Sequence, residues 1–143
     1  MNYKVEKDFI VEGFRCVIIG NYMGHRCGYV EIPKGHKLYG KHYDDEDYYD
    51  IDVHGDWTYS EFGGSYPVES AEDSWWIGFD CGHTWDACDV ELVRLLGGEE
   101  FINSPLFELR QKTGVVRTKE YVENELREAV KQIINLPITE ENN

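Results

Sequence analysis

The sequence predicts an α+β fold, an antiparallel sheet packed against a C-terminal amphipathic helix, on three observations. Strand-forming residues alternate with polar ones between Phe9 and Ile32, an apolar run returns at Ser74–Asp80, and apolar residues recur at helical spacing from Val122 to Ile134. A chain of 143 residues suffices for one core and not for two ordinary domains. A single domain over residues 1–136 is expected, with 137–143 as a flexible tail that frays from Thr139 onward.

Taken in order, Phe14–Ile19 and Tyr29–Ile32 are β-rich and flank the turn-like Gly20–Gly24, which predicts a hairpin. Pro33 and Gly35 stop the second strand, and 34–41 is a loop punctuated by Gly35 and Gly40. His42–Asp50 mixes carboxylates and tyrosines in blocks without a helical apolar face, so an acidic, partly ordered loop is expected. Ile51, Val53 and Trp57–Ser60 are strand formers broken by Gly55-Asp56, which fits a short hairpin or a bent strand. After a polar loop at Glu69–Asp73, Ser74–Asp80 is the most apolar strand candidate of the acidic half. Cys81–Asp89 is a loop, and Val90–Leu96 is a helical turn or strand ended by Gly97-Gly98. From the N-cap residue Thr118, Val122, Leu126, Ala129, Val130, Ile133 and Ile134 define a helix of about five turns that stops before Pro137.

Charge narrows the function classes. The net charge is −14, and it is uneven: +2 over residues 1–40, −15 over 41–100 and −1 over 101–143. Such a chain does not grip phosphate backbones, so direct nucleic-acid binding is not expected. No apolar run reaches membrane-spanning length, and Met1–Ile10 carries Lys4, Glu6, Lys7 and Asp8 where a secretory signal needs an apolar core. A cytoplasmic protein is expected, with Cys16, Cys27, Cys81 and Cys88 as thiols rather than a disulfide scaffold.

Two segments concentrate reactive side chains. In His54–Ser60, an unbroken strand puts His54, Asp56, Thr58 and Ser60 on one face and Trp57 and Tyr59 on the other. Such a face either binds ribose hydroxyls and positions a water, or is a plain solvent-facing edge. In Trp75–Asp86, the acids Asp80 and Asp86 flank His83 at spacings of three, so a helical turn after the strand brings the three together, as acid–base work or a divalent ion requires. The spacing of Cys81, His83 and Cys88 matches no common zinc knuckle, and Asp44–Asp52 lacks the glycine of an EF-hand loop. No metal and no cofactor are therefore expected. Trp57, Trp76 and Trp85 are candidate stacking planes for a base, at most two of the four tryptophans being free for a ligand. Along the strand Trp75 and Trp76 face opposite ways, so one of them belongs to the core. Arg26 and Arg117 are the preferred phosphate partners over Lys34, Lys37 and Lys41, because a guanidinium grips phosphate as a fork.

The string Gly24-His25-Arg26-Cys27-Gly28-Tyr29-Val30, then Pro33–Gly40, Tyr43-Asp44-Asp45, Asp52-Val53-His54-Gly55, Thr58-Tyr59-Ser60, Trp75–His83 and Asp86 resembles a group of small bacteriophage-encoded proteins. The likeness resumes at Arg117–Val122 and covers about half the chain; Asp56 and Trp57 stand where the pattern has a second glycine and an aliphatic residue. By analogy of size and source, the resemblance implies an anti-defence protein in the cytoplasm of an infected bacterial host. Its partner would be a small nucleotide-derived immune signal: a cyclic ADP-ribose isomer, histidine-linked ADP-ribose or a cyclic dinucleotide.

The leading expectation is sequestration of that signal without turnover, by a homo-oligomer with pockets between subunits. The aromatic rings take the base, Asp45, Asp80 or Asp86 the ribose hydroxyls, His54, Thr58, Ser60 and His83 other polar groups, and Arg26 or Arg117 the phosphate. A hydrolase or lyase is the alternative, with His54 and His83 as acid and base and Asp80 or Asp86 orienting them. A second alternative is an acidic DNA mimic that occupies a DNA-binding protein through Asp44–Asp52.

Overall fold

A computed structural model of the protein describes residues 2–136. Strands β1 (Tyr3–Val11), β2 (Phe14–Asn21), β3 (Arg26–Ile32), β4 (Tyr59–Phe62) and β5 (Trp75–Asp80) form an antiparallel sheet in the order β1-β2-β3-β5-β4. A parallel two-stranded sheet pairs β6 (Asp86–Ala87) with β7 (Val115–Val116). The helices are α1 (Val90–Leu95), α2 (Glu99–Ile102), α3 (Pro105–Thr113) and α4 (Lys119–Ile134). The fold is α+β, and α4 packs on the sheet as its apolar periodicity requires. Among the described residues, no helix is long and apolar enough to cross a membrane.

Period-two alternation sorts the strand residues between two buried layers. Cys16, Ile18, Val30, Ile32, Trp75, Ile77 and Phe79 pack with Val122, Leu126, Ala129, Val130 and Ile133 of α4. Val17, Ile19, Tyr29 and Trp76 form a smaller cluster on the opposite face. Each fully buried Val, Leu, Ile, Phe or Met side chain contributes roughly 1.5–3 kcal/mol, so the interface of α4 with the sheet is a substantial source of stability. Leu38, Tyr48, Ile51 and Trp57 extend this core under the acidic segment. That segment is ordered by a 3₁₀ turn at Glu46–Tyr48 with Asp45 as its N-cap, and by a Lys41–Asp47 ion pair.

The hairpin, the Trp75–Asp80 strand and the last helix lie where the sequence predicts them. Several elements differ. The strand β1 was hidden by its charges: Lys4, Glu6, Lys7 and Asp8 sit on an edge strand with a register shift between Val5 and Lys7, so no clean alternation marks it. Ile51 and Val53 form no strand, and β4 begins only at Tyr59. Residues 99–117, for which no element is predicted, fold into α2, α3 and β7, although Ser104-Pro105 pairs an N-cap with a proline at the first helical position. At 16 residues, α4 is shorter than five turns. The four cysteines are free, and burial pushes Cys16 and Cys27 up to about 12. The tail at 137–143 lies outside the described residues.

Candidate functional site

Three chain segments that are distant in sequence meet at one buried carboxylate. Asp86 begins β6 and its side chain is 1% exposed. Its Oδ1 accepts from His54 Nε2 at 2.9 Å and from Arg117 Nε at 2.8 Å, while Oδ2 accepts from His83 Nδ1 at 2.9 Å and from the His83 backbone N–H at 3.1 Å. Burial alone would raise the Asp86 pKa, but these hydrogen bonds from His54, Arg117 and His83 outweigh it and hold the carboxyl below its ordinary range. Asp86 is therefore an ionised acceptor, which fixes the ring protons: His54 donates through Nε2 and His83 through Nδ1.

The remaining ring nitrogens differ in their surroundings. His54 Nδ1 is 2.7 Å from the Tyr121 hydroxyl, so in the neutral ring it accepts from that O–H. This makes a continuous chain from Tyr121 through His54 to Asp86. Burial, then the negative charge of Glu125, raises the Tyr121 pKa and keeps the phenol protonated as a donor. His83 Nδ1 holds the ring's hydrogen on Asp86, so Nε2 carries the lone pair of the neutral ring. The ring of His83 stacks on Trp85 at 4.5 Å with an interplanar angle of 4°, and Trp85 is 51% exposed.

Local structure explains the placement. Thr118 caps α4 by accepting from the Tyr121 N–H at 3.1 Å, so Arg117 just before the helix and Tyr121 in its first turn enter the site together. Glu125, one turn on, accepts the His54 backbone N–H at 2.7 Å and ties the 50s loop to the same helix. Gly55 has φ +69°, and a Cβ there would stand 2.3 Å from His83 Cε1. Gly55→Ala is expected to cost about 1–2 kcal/mol from the left-handed backbone alone. It should also displace the His83 ring, visible as a shift of its imidazole resonances while those of α4 stay in place.

Of the candidate residues, His54, His83, Trp85, Asp86 and Arg117 come together here. Asp80 does not, because a turn rather than a helical turn follows β5; it accepts instead from Thr58 Oγ1 at 3.0 Å and from Gly82 N at 2.9 Å. The face of His54, Asp56, Thr58 and Ser60 is broken by Gly55 and by Asp56, whose φ is +73°, and Ser60 is buried against the Tyr43 N–H. Trp57 and Trp76 are core residues, with indole N–H groups donating to Ile51 O and Ser70 Oγ, so neither offers a free face to a base. Arg26 is buried between Glu6 and Asp89, and Asp45 caps the 3₁₀ turn. Tyr121 and Glu125 were missed; the signal for Tyr121 was its place in the Arg117–Val122 string.

One donor atom each from His54, His83 and Asp86 lie within 4.8 Å of one another. A divalent ion bound at about 2.0–2.2 Å would need both rings to surrender the N–H groups that now face Asp86, beside a guanidinium already on Oδ1. The same atoms are fully paired as a hydrogen-bonded cluster, an arrangement suited to moving protons. The chain matches no protein-family model, and no curated protein or solved structure is significantly similar to it.

Proposed function

We propose that the protein is an acid–base enzyme of the hydrolase or lyase class acting on an anionic, nucleotide-derived signal. The observation that carries this reading is one buried carboxylate, Asp86, orienting two imidazoles whose other nitrogens reach different groups. His83 Nε2 takes the proton from an attacking ribose hydroxyl or water. With His54 in its protonated form, Nε2–H stays on Asp86, Nδ1–H donates to the Tyr121 oxygen, and the Tyr121 O–H is free to donate to the leaving oxygen, so the proton delivered is replaced from His54, which ends neutral. Arg117, whose Nε is committed to Asp86, meets phosphate through its Nη nitrogens. The proton donor is thus Tyr121 backed by His54, in place of His54 itself. The nucleotide character of the substrate and the setting in an infected bacterial cytoplasm rest on the resemblance to phage proteins.

Sequestration without turnover is the second reading, favoured by Trp85. Its half-exposed indole carries the His83 ring on one face and leaves the other as a plane on which a base can stack. Purified protein incubated with cyclic dinucleotides and ADP-ribose signals, then denatured and analysed by mass spectrometry, separates the two. A changed mass supports catalysis, intact ligand released only by denaturation supports sequestration, and no depletion overturns both and favours the acidic mimic. If the first reading holds, His83→Gln and Tyr121→Phe each lower turnover by about 10²–10⁴-fold. Chelators should leave turnover unchanged, and added Zn²⁺ should suppress it by competing for the ring nitrogens.

A further inference from the structure

Hydrogen bonds pin the backbone between β5 and β6 behind the candidate site. The Gly82 N–H donates to Asp80 Oδ1 at 2.9 Å, and the Gly82 carbonyl accepts from Nη2 of Arg110, on α3, at 2.6 Å. The next N–H, that of His83, donates to Asp86 Oδ2 at 3.1 Å. The Gly82 carbonyl and the His83 N–H belong to one planar peptide, so Arg110 and Asp86 hold its two ends. Space requires the glycine: a Cβ on Gly82 would stand 2.9 Å from His25 Cε1 and Nε2 and 3.2 Å from Asp80 Oδ1. Glycine imposes little torsional preference of its own, so the direction of this peptide is set by its hydrogen bonds.

Arg110 is 8% exposed, as buried as Arg26, yet the two are used differently. Arg26 lies between the carboxylates of Glu6 and Asp89, whereas among the described residues no carboxylate forms an ion pair with Arg110. Besides the Gly82 carbonyl, its guanidinium meets the Cys88 thiol, whose pKa is raised by burial against the opposing effect of Arg110. Burying a cation is costly, and a neutral side chain would serve to anchor α3. What the charge adds is polarisation. A short bond from a guanidinium to a carbonyl strengthens the N–H at the other end of the same peptide as a donor, and that N–H ends on the ionised Asp86. His25 packs against the same glycine but does not supply this charge, because burial lowers its pKa and keeps it neutral. Asp86 thus meets two guanidinium groups by different routes, Arg117 directly at Oδ1 and Arg110 through the peptide at Oδ2.

We infer that Arg110 is a positioning residue for His83: it fixes the Gly82–His83 peptide so that the His83 N–H and the ring Nδ1–H stay together on Asp86 Oδ2. With both held, the ring's lone pair is confined to Nε2, the atom assigned as base. Without Arg110 the peptide turns about Gly82 and the ring divides between tautomers, of which the Nε2–H form has no base to offer. The effect on turnover rests on the base role proposed for His83. The effect on the peptide and the ring does not, and it is measured without substrate.

The test compares isotope-labelled wild type, Arg110→Met and Thr113→Val by NMR and by turnover per folded molecule. Thr113 Oγ1 donates to Thr84 O at 2.9 Å, so its loss removes a different tie between α3 and the same loop. In wild type the His83 ring is expected as the Nδ1–H tautomer. In Arg110→Met the His83 amide resonance should shift and its hydrogen exchange accelerate, and the ring nitrogens should report a mixture of tautomers. In the same variant kcat should fall by up to about 10²-fold with KM nearly unchanged. Thr113→Val should show none of these changes. If Arg110→Met does not fold, Arg110→Gln, which loses the charge and keeps a polar side chain, takes its place. An unmoved His83 amide and ring in the Arg110 variant, or the same response in Thr113→Val, overturns the inference and leaves Arg110 as an anchor of α3. The expected NMR response with no turnover in any of the proteins upholds the role of Arg110 and overturns the proposed function instead.

Discussion

Asp86→Ala is expected to abolish turnover and to destabilise the fold by about 3–5 kcal/mol, the usual result of removing one partner from a buried ionic group. The loss exceeds that of either imidazole variant, because one carboxylate positions His54, His83 and Arg117 at once. Asp86→Asn preserves the shape but aims an N–H pair at groups that are themselves donors, so it should be nearly as damaging. Acid titration tests the same point without relying on activity. The folded-state pKa of Asp86 lies below its ordinary value of 3.8, so the stability it contributes is full above that value and is lost as pH falls through the lowered one. Urea midpoints of wild type and Asp86→Asn should therefore differ most above pH 4 and draw together as pH falls below it, because the unfolded carboxyl takes up its proton before the folded one. A difference that does not shrink at all as pH falls below 3.8 would mean that the ionised carboxylate is not what the cluster depends on.

The parts of this molecule that were legible in the sequence are those whose physics is local. A 3.6-residue period in Val122, Leu126, Ala129, Val130 and Ile133 announces α4, and its N-cap Thr118 can be named from side-chain chemistry alone. Near-continuous apolar runs expose β2, β3 and β5, because both faces of the sheet are buried there. Edge strand β1 was not legible, since charges on a solvent-facing edge erase the pattern, and α2 is too short to carry a period. At the site, His54, His83, Asp86 and Arg117 could be nominated by residue type, whereas their meeting at one carboxylate depends on strand register and helix docking. Aromatic composition misled for a physical reason: an indole that could stack on a base is equally suited to a core, and Trp57 and Trp76 are used that way. Tyr121 was passed over because on a helical face a tyrosine looks like packing until its hydroxyl is found on His54.

Arg26 separates a structural role from a ligand-binding one. The guanidinium forms two buried ion pairs, 2.6 Å from Glu6 and 3.0 Å from Asp89, and its Nη1 donates to Arg117 O at 3.1 Å. Desolvation opposes its charge, but the hydrogen bonds to Glu6 and Asp89 outweigh that and raise its pKa. Arg26→Met keeps the aliphatic stem and strands two carboxylates and one carbonyl, so a loss of about 3–5 kcal/mol is expected by urea denaturation. Turnover per folded molecule should fall less than about tenfold, since the variant disturbs Arg117 only through its backbone and leaves Asp86, His83 and Tyr121 in place. A phosphate-contacting arginine would give the opposite split, with binding lost and the unfolding midpoint nearly unchanged. Arg117→Met supplies the comparison: its side chain is 21% exposed with one nitrogen on Asp86, so it should weaken ligand handling more than stability. If the two variants behave alike, the boundary drawn here between the supporting ion pairs and the site itself is misplaced.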